Sequence, residues 1–532
     1  MENRSRRRLR VLLWVAGLAL LFALYASGLG SNPPGFYLDE SAPAYNAYLV
    51  AHTGAGEFGP RFPLFFQYYT DAFTQIGDPT QIYMLAAVFR FFPPSILLAR
   101  LFSAFWVFSA CLLLGLLAKR ISGRSMIGVI VAATALLTPW FFEGRGLLLE
   151  PQFVPMALAP FLLTLCHVQK KESWNWLEVA LLAATLALVT YCYTSGRILG
   201  PLLALGLLFF ATSRRRLISV VKAGLLYGAT LFPILVFNWR NPGVLTKRLN
   251  EISYIKPGVP LSEIVSQFVQ RYLEDQSLTG LLLNGDYHPR HHVQGSGGAL
   301  FYATFILAII GLVIIIARRR RDPWWRFVLY GLAVAIVPGA ISVEPFHGMR
   351  LMAYPVFLLL LTVPALEWLL ARDKHKSDFV PSPSHEGEEP LWEDGQPFEP
   401  GVAEGVLPRV ARLWILFFLL ALTAVEAYRF QTVFRRDGPK RAFDFDVEYK
   451  AAYDAATRQS ARPIYLEDGK WGPAYIHALW YAAVEKRPRS EFVHLAPGAK
   501  APAGKVVISS AESCQGCETI MRTGVYQVYK SL

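Results

Sequence analysis

The stretch 4–26, RSRRRLRVLLWVAGLALLFALYA, sets five arginines directly before an unbroken apolar run from Val11 to Ala26. A run of that kind approaches the ~20 residues that an α-helix needs to cross a bilayer. A secretory signal peptide has the same order of parts, and Ala26-Ser27-Gly28 supplies small residues near a cleavage point, but the apolar stretch is longer than a usual signal core. The expectation is a retained first span. Ten further blocks repeat the pattern, at 95–117, 126–142, 153–168, 177–194, 198–212, 217–238, 299–317, 325–342, 351–371 and 410–428. A shorter apolar piece, Tyr83 to Phe92, is too brief to cross and is expected to be re-entrant or interfacial.

Composition agrees with these blocks. The 532 residues are 54% hydrophobic and only 17% charged, with a mean hydropathy of +0.34, whereas soluble globular chains carry roughly 25% charged residues. A disordered chain, a disulfide scaffold and a soluble nucleic-acid binder are thereby excluded. The net charge of +13 is a topology signal. With the N-terminus in the cytoplasm, segments 1–10, 118–125, 167–176, 213–222, 317–326 and 371–412 hold 5, 3, 2, 4, 5 and 5 Lys+Arg, or 24 of 52. Every loop obeys the positive-inside rule.

Three sizeable pieces then fall outside: 28–94, 239–298 and 429–532. Residues 371–408 are acidic, proline-rich and poor in large apolar residues, a composition that reads as a disordered cytoplasmic linker. The expected organisation is a transmembrane region over 1–370, this linker, a last span at 409–428 and an external domain at 429–532. That domain mixes helical Tyr449 to Arg458 with strand-like Lys505 to Ser509 and Val525 to Tyr529. The fold class is thus an all-α polytopic membrane protein of about eleven spans, with external amphipathic helices and a small C-terminal external α/β domain. Ala42 to Ala51 is expected to be one such helix on the membrane surface. Cys514-Gln515-Gly516-Cys517 has no second pair to complete a zinc ribbon, and a structural disulfide is the simpler reading.

Polar residues recur at the external ends of the spans. Asp39 and Glu40 follow the first span, and as neighbours in a first helical turn they would also serve as caps. Glu143, Arg145 and Glu150 follow the third; Tyr191, Tyr193 and Arg197 the fifth; Glu344, His347 and Arg350 the ninth. The long loop adds Asp286, His288, Arg290, His291 and His292. Arginine is a planar clamp for phosphate, and a carboxylate can take a proton from a hydroxyl. Together they point to chemistry on a phosphate-bearing, membrane-bound substrate. The histidines present no recognised metal-ligand spacing.

The segments "NPPGFYLDESAPAYNAYLVAHTGAGEFGPRFPLFF" (from Asn32), "IYMLAAVFRFFPPSILLARLFSA", "TPWFFEGRGLLLEP" (138–151), "TYCYTSGRILGPLL" (190–203), "NGDYHPRHHVQGSGGALFYATFILAIIGL" (284–312) and "EPFHGMRLMAYPV" (344–356) occur in this order. In that ordered set the chain resembles the GT-C integral-membrane glycosyltransferases, in particular the dolichyl-phosphate-mannose–protein mannosyltransferase and lipid A aminoarabinose transferase group, over roughly residues 11–370. The resemblance implies an inverting transfer of a sugar from a polyprenyl-phosphate donor to a lipid, glycan or protein acceptor, at the external face of the cell's inner membrane. It implies Asp39 as the catalytic acid of the first external loop, with Glu40 as its partner. Glu57 matches a second acidic position, with Gly56 where another acid usually stands. Arg145 and Glu150 match an Arg…Glu pair, and Arg197, Asp286, His288, Arg290, His347 and Arg350 would face the phosphate and headgroup. No cofactor is required by this chemistry; a divalent metal is compatible with it. A transporter or flippase of lipid-linked sugars is the alternative, although its key charges should sit near the midplane and here they collect at span ends. A catalytically silent assembly protein is a third reading, and nucleic acid is not an expected partner.

Overall fold

The computed structural model describes residues 2–372 and 407–532, apart from Asp71, Ala72, Lys470, Trp471, Glu512, Ser513 and Gln515. The linker expected at 371–408 therefore lies, except at its ends, outside the described residues.

A helical segment stands at each of the eleven expected spans. Among the described residues, six helices are long and apolar enough to cross a membrane: Arg6–Tyr25, Ile96–Ser122, Glu150–Val168, Arg214–Arg240, Tyr302–Arg319 and Arg409–Lys440. The rest are shorter or broken. The third span divides into Ser125–Leu137 and Pro139–Gly144, because Pro139 has no N–H to continue the ladder. The ninth divides into Pro323–Val334 and Val337–Ala340, with Pro338 at the break. The basic ends are capped as charge and geometry require. Ile96–Ser122 closes on Lys119, Arg120 and the left-handed Gly123, where cations favour the helix C-terminus. It packs closely on Ser125–Leu137: a Cβ added at Gly115 would lie 2.5 Å from the carbonyl oxygen of Gly128. Small residues permit such approach between helices in lipid, where van der Waals contact rather than water drives association.

The three loop segments meet on one face, here called the loop face. The guanidinium of Arg441 donates to the carbonyl of Pro289 at 2.6 Å and to Asn32 Oδ1 at 3.2 Å, joining the C-terminal piece to both other loops. In the first loop, Leu38–Thr53 forms a helix, followed by a small antiparallel hairpin of β1 (Phe66–Tyr68) and β2 (Gln75–Gly77) and the apolar helix Pro79–Phe89. Leu38–Thr53 is not the surface-lying helix expected from the sequence. Ala42, Ala44, Tyr45, Asn46 and Ala47 are all at most 4% exposed, because the helix is sandwiched between Pro79–Phe89 and the helix Tyr475–Val484 of the C-terminal domain. The amphipathic role falls to Leu261–Glu274, whose Leu261, Val265, Val269 and Leu273 recur every fourth residue and are exposed.

The last helix, Arg409–Asp437, runs more than two turns past the expected end at 428. Beyond it lies a small α/β domain. Its sheet contains β3 (Ile464–Glu467), β4 (Phe492–His494), β5 (Val506–Ser509), β6 (Glu518–Arg522) and β7 (Gln527–Lys530), in the order β4-β3-β5-β7-β6. The β4-β3-β5 part is parallel and the remainder antiparallel. Helices Val447–Thr457 and Tyr475–Val484 pack on it. Cys514 and Cys517 are joined as a disulfide.

Candidate active site

Asp39 and Glu40 are adjacent in the first turn of the Leu38–Thr53 helix but have different surroundings. Glu40 is fully buried. One carboxylate oxygen accepts from the Leu148 N–H at 3.0 Å and the other from the Tyr37 N–H at 3.1 Å, so it caps its own helix and ties it to the end of the third span. Burial raises its pKa against the opposing pull of Arg100 and these two N–H groups. The Arg100 guanidinium lies 3.6 Å away and donates to the carbonyls of Leu29 and Pro33 at 3.3 and 2.7 Å, and to that of Gly35. Glu40, expected as the partner of the catalytic acid, is thus engaged by Leu148, Tyr37 and Arg100.

Asp39 is only half-buried. Its neighbours are hydroxyls: Tyr69 donates to Oδ1 at 3.1 Å, and the Tyr37 hydroxyl lies close to the same carboxylate. Over the Tyr37 ring, at 3.9 Å, lies the guanidinium of Arg290, within cation–π distance. Among the described residues, Arg290 has no carboxylate within ion-pair distance.

Next to this turn is a buried polar chain that the sequence reading had only in part. Tyr68 donates to Glu150 Oε1 at 3.2 Å, and the Asp78 N–H donates to the same oxygen at 2.8 Å. Asp78 is fully buried and holds Arg197 in an ion pair of 2.7 Å, with Thr194 donating to its other oxygen at 3.1 Å. Burial raises the Asp78 pKa, opposed by the Arg197 charge. Tyr193 lies within electrostatic reach of Arg350, Glu150 and Asp78, which links this chain to the next cluster.

That cluster is built on Asp286. Its Oδ1 accepts from the His288 N–H at 2.9 Å, and its Oδ2 from the Gly348 N–H at 2.7 Å, with His291 Nδ1 at 2.9 Å. Burial alone would raise its pKa, but the bond and charge of His291, then His347 and the His288 N–H, bring it down to about 2. His347 is pushed well below its usual range by burial and then by Arg350. Arg350 pairs with Glu344 at 2.8 Å and donates to Ser342 Oγ at 2.7 Å. The whole long loop is pinned to the third span by Glu143: its Oε2 lies 2.6 Å from His292 Nδ1, and its Oε1 accepts from the Val293 N–H at 2.8 Å. Burial would lower the His292 pKa; the Glu143 charge overcomes that and raises it. A cavity no bigger than a water-sized guest needs lies among Trp140, Glu143, Asp286, His291, His292 and Phe346. Among the described residues, two trios are grouped closely enough to hold a metal ion: Asp286, His291 and His347, and His288, Glu344 and His347.

Two expected substrate contacts are placed elsewhere. Arg145 is 2% exposed. It turns inward, donating to the carbonyls of Tyr25 and Phe142 at 2.8 and 2.6 Å and stacking on the Phe142 ring. The guanidinium thereby satisfies a carbonyl at the end of the first helix, that of Tyr25, and one in the Pro139–Gly144 helix, that of Phe142. Glu57 lies past the far end of the Leu38–Thr53 helix, facing Tyr475, Arg489, His494 and Asp468 of the C-terminal domain, and burial raises its pKa to about 7. The rest of the expected set, Asp39, Glu150, Arg197, Asp286, His288, Arg290, His347 and Arg350, is brought together on the loop face. Sequence reading missed Asp78 and Arg100 as pairing partners; a lone charge beside a span end was the available signal for each.

Helical segments at the eleven expected spans, with a clasped α/β domain and a polar loop face, define the class as a polytopic, membrane-type helical fold. No family model matches the chain, and no curated protein matches it by sequence. Among solved structures it is similar to ArnT, a lipid A aminoarabinose transferase, from Cupriavidus metallidurans. The apo form aligns with a TM-score of 0.58 and 11% identity over 99% of this chain and 98% of that one. The form bound to undecaprenyl phosphate aligns with a TM-score of 0.58 and 10% identity over 98% of each chain. At such identity the likeness is one of fold.

Proposed function

We propose that this chain is an inverting glycosyltransferase that moves a sugar from a polyprenyl-phosphate donor to an acceptor nucleophile at the external membrane face, with Asp39 as the base. The observation that carries the proposal is the pairing of a half-buried carboxylate, met among the described residues by tyrosine hydroxyls, with the Arg290 guanidinium across the Tyr37 ring. The ArnT neighbour bound to undecaprenyl phosphate supports a lipid-phosphate donor. Asp39 removes the acceptor's proton as the nucleophile bonds to the anomeric carbon from the side opposite the phosphate. The carbon–oxygen bond to phosphate breaks, and polyprenyl phosphate departs with its charge met by Arg290, Arg197 and Arg350. A positioned base contributes typically 10²–10⁴-fold, and fixed cations at the leaving group act where charge develops. Glu40, Glu143 and Asp78 hold these groups in place. Chain orientation, with the N-terminus cytoplasmic and the loop face external, follows the basic bias of the opposite loops.

The sugar and the acceptor, be it lipid, glycan or protein, are open to a screen. Purified protein in lipid nanodiscs, incubated with radiolabelled polyprenyl-phosphate sugars and candidate acceptors, should release polyprenyl phosphate with one donor class. Movement of intact lipid-linked sugar across vesicles without any release would instead make the chain a flippase. The chemistry calls for no cofactor, while the Asp286, His291 and His347 trio can take a divalent cation. Loss of turnover on chelation and its return on adding one metal would give that cation a role.

A further inference from the structure

The C-terminal domain meets the transfer site through a buried polar relay. Ser41, two residues beyond Asp39, turns roughly 200° away from it around the helix and faces the domain. Its Oγ lies 2.9 Å from His477 Nδ1, and Ser41 and His477 are 0% and 1% exposed. The other ring nitrogen of His477 is 3.3 Å from Asp446 Oδ2, within ion-pair distance but outside hydrogen-bond geometry, with the Tyr449 ring at 4.8 Å against the imidazole. Asp446 has a left-handed backbone, φ 50°, a conformation that Asp tolerates better than most residues, and it accepts from the Tyr526 hydroxyl at 3.0 Å. It also feels the charge of Arg290, the guanidinium stacked on Tyr37.

One route of contacts therefore runs from the domain to this helical turn, Asp446–His477–Ser41, while Arg290 meets the turn through the Tyr37 ring and lies beyond ion-pair distance of Asp446. The packing around these contacts is close. A Cβ on Gly35 would fall 1.9 Å from the carbonyl oxygen of Phe445, so the domain sits directly on the chain entering the turn. Phe36 and Trp480 pack ring to ring at 5.4 Å. Serine, histidine and aspartate are also the residues of a hydrolytic triad, but here the serine is sealed from solvent and any acyl substrate. The imidazole is also reversed, with Nδ1 toward the serine.

We propose that the C-terminal domain is a positioning element for the transfer reaction, with His477 and Asp446 fixing, through Ser41, the turn that presents Asp39. This rests on the reading of Asp39 as base. The domain's contribution is then to kcat and not to acceptor affinity. A displacement of ~1 Å at a reacting group can cost 10²-fold, so the effect is expected at between about 10-fold and 100-fold.

The test uses the full chain in nanodiscs with a transferable donor, and kcat is taken per folded, donor-binding molecule. Ser41→Ala, His477→Gln and Asp446→Asn should each lower kcat at least ~10-fold while KM for donor and acceptor stays within about two-fold. The Ser41→Ala/His477→Gln double variant should be no worse than the His477 variant alone, because members of one network are not additive. Should the His477 variant fail to fold, Ser41→Ala, which removes a single hydroxyl, carries the test. A wild-type kcat in Ser41→Ala, or a raised acceptor KM at unchanged kcat, overturns the proposal if Asp39→Asn is inactive. If Asp39→Asn itself turns over normally, the reading of Asp39 has failed, and the two failures are told apart.

Discussion

The two ends of the Leu38–Thr53 helix each carry a carboxylate in a crowded polar setting, and they differ in what surrounds it. At the first turn, Asp39 stays half-buried among tyrosine hydroxyls with an arginine one ring away. Past the far end, Glu57 is closed in by the C-terminal domain and its pKa is lifted to about 7. Both acids lie in one loop and would look equivalent by residue type. Accessibility and a nearby cation suit the first to proton transfer toward a phosphate-linked substrate. The second is suited to holding two parts of the chain together.

The contrast is broken or sharpened most strongly by removing each charge in turn. Asp39→Asn should reduce kcat by 10²–10⁴-fold with unfolding unchanged, whereas Glu57→Gln should leave kcat within about three-fold; steady-state release of polyprenyl phosphate reads both. Glu40→Ala should act oppositely to Asp39→Asn. It leaves Arg100 buried without its carboxylate, which costs about 3–5 kcal/mol and would appear as a large fall in thermal unfolding temperature. Arg290→Ala should lower kcat roughly 10-fold to 100-fold, and Arg290→Lys should not restore it, since a compact ammonium replaces neither the planar stack nor the fork.

The smallest effect is one of pH. Glu57 has a folded pKa raised above its ordinary value of 4.5, to about 7. Its contribution to stability is thus full below about pH 4.5 and lost as pH rises through about 7. Glu57→Gln removes that loss, so it should stabilise the protein by about 1–3 kcal/mol at pH 8.5 and by little at pH 5. Thermal unfolding at the two pH values reads the difference; equal effects at both would mean that Glu57 is not held in a desolvated site.

The helical segments were legible because bilayer crossing demands long apolar blocks, and runs of arginine such as Arg318 to Arg321 separate them. Asp39 and Arg290 were visible as polar residues beyond the ends of the apolar blocks. What stayed hidden depends on partners distant in the chain. Ser41 and His477 are 436 residues apart, and no local pattern announces that contact. The burial of Leu38–Thr53 escaped for the same reason: its tyrosines suit a membrane surface until the C-terminal domain covers them. Arg145 looked like its neighbours by residue type, and its inward turn onto the carbonyl of Tyr25 is a contact between residues distant in the chain.

The most direct measurement is single-turnover release of polyprenyl phosphate from the matching donor by wild type and Asp39→Asn, with donor binding measured on the same samples. Donor affinity within about two-fold and release slowed by at least ~100-fold in the variant is the expected result. Equal release by the two proteins would contradict the account at its centre.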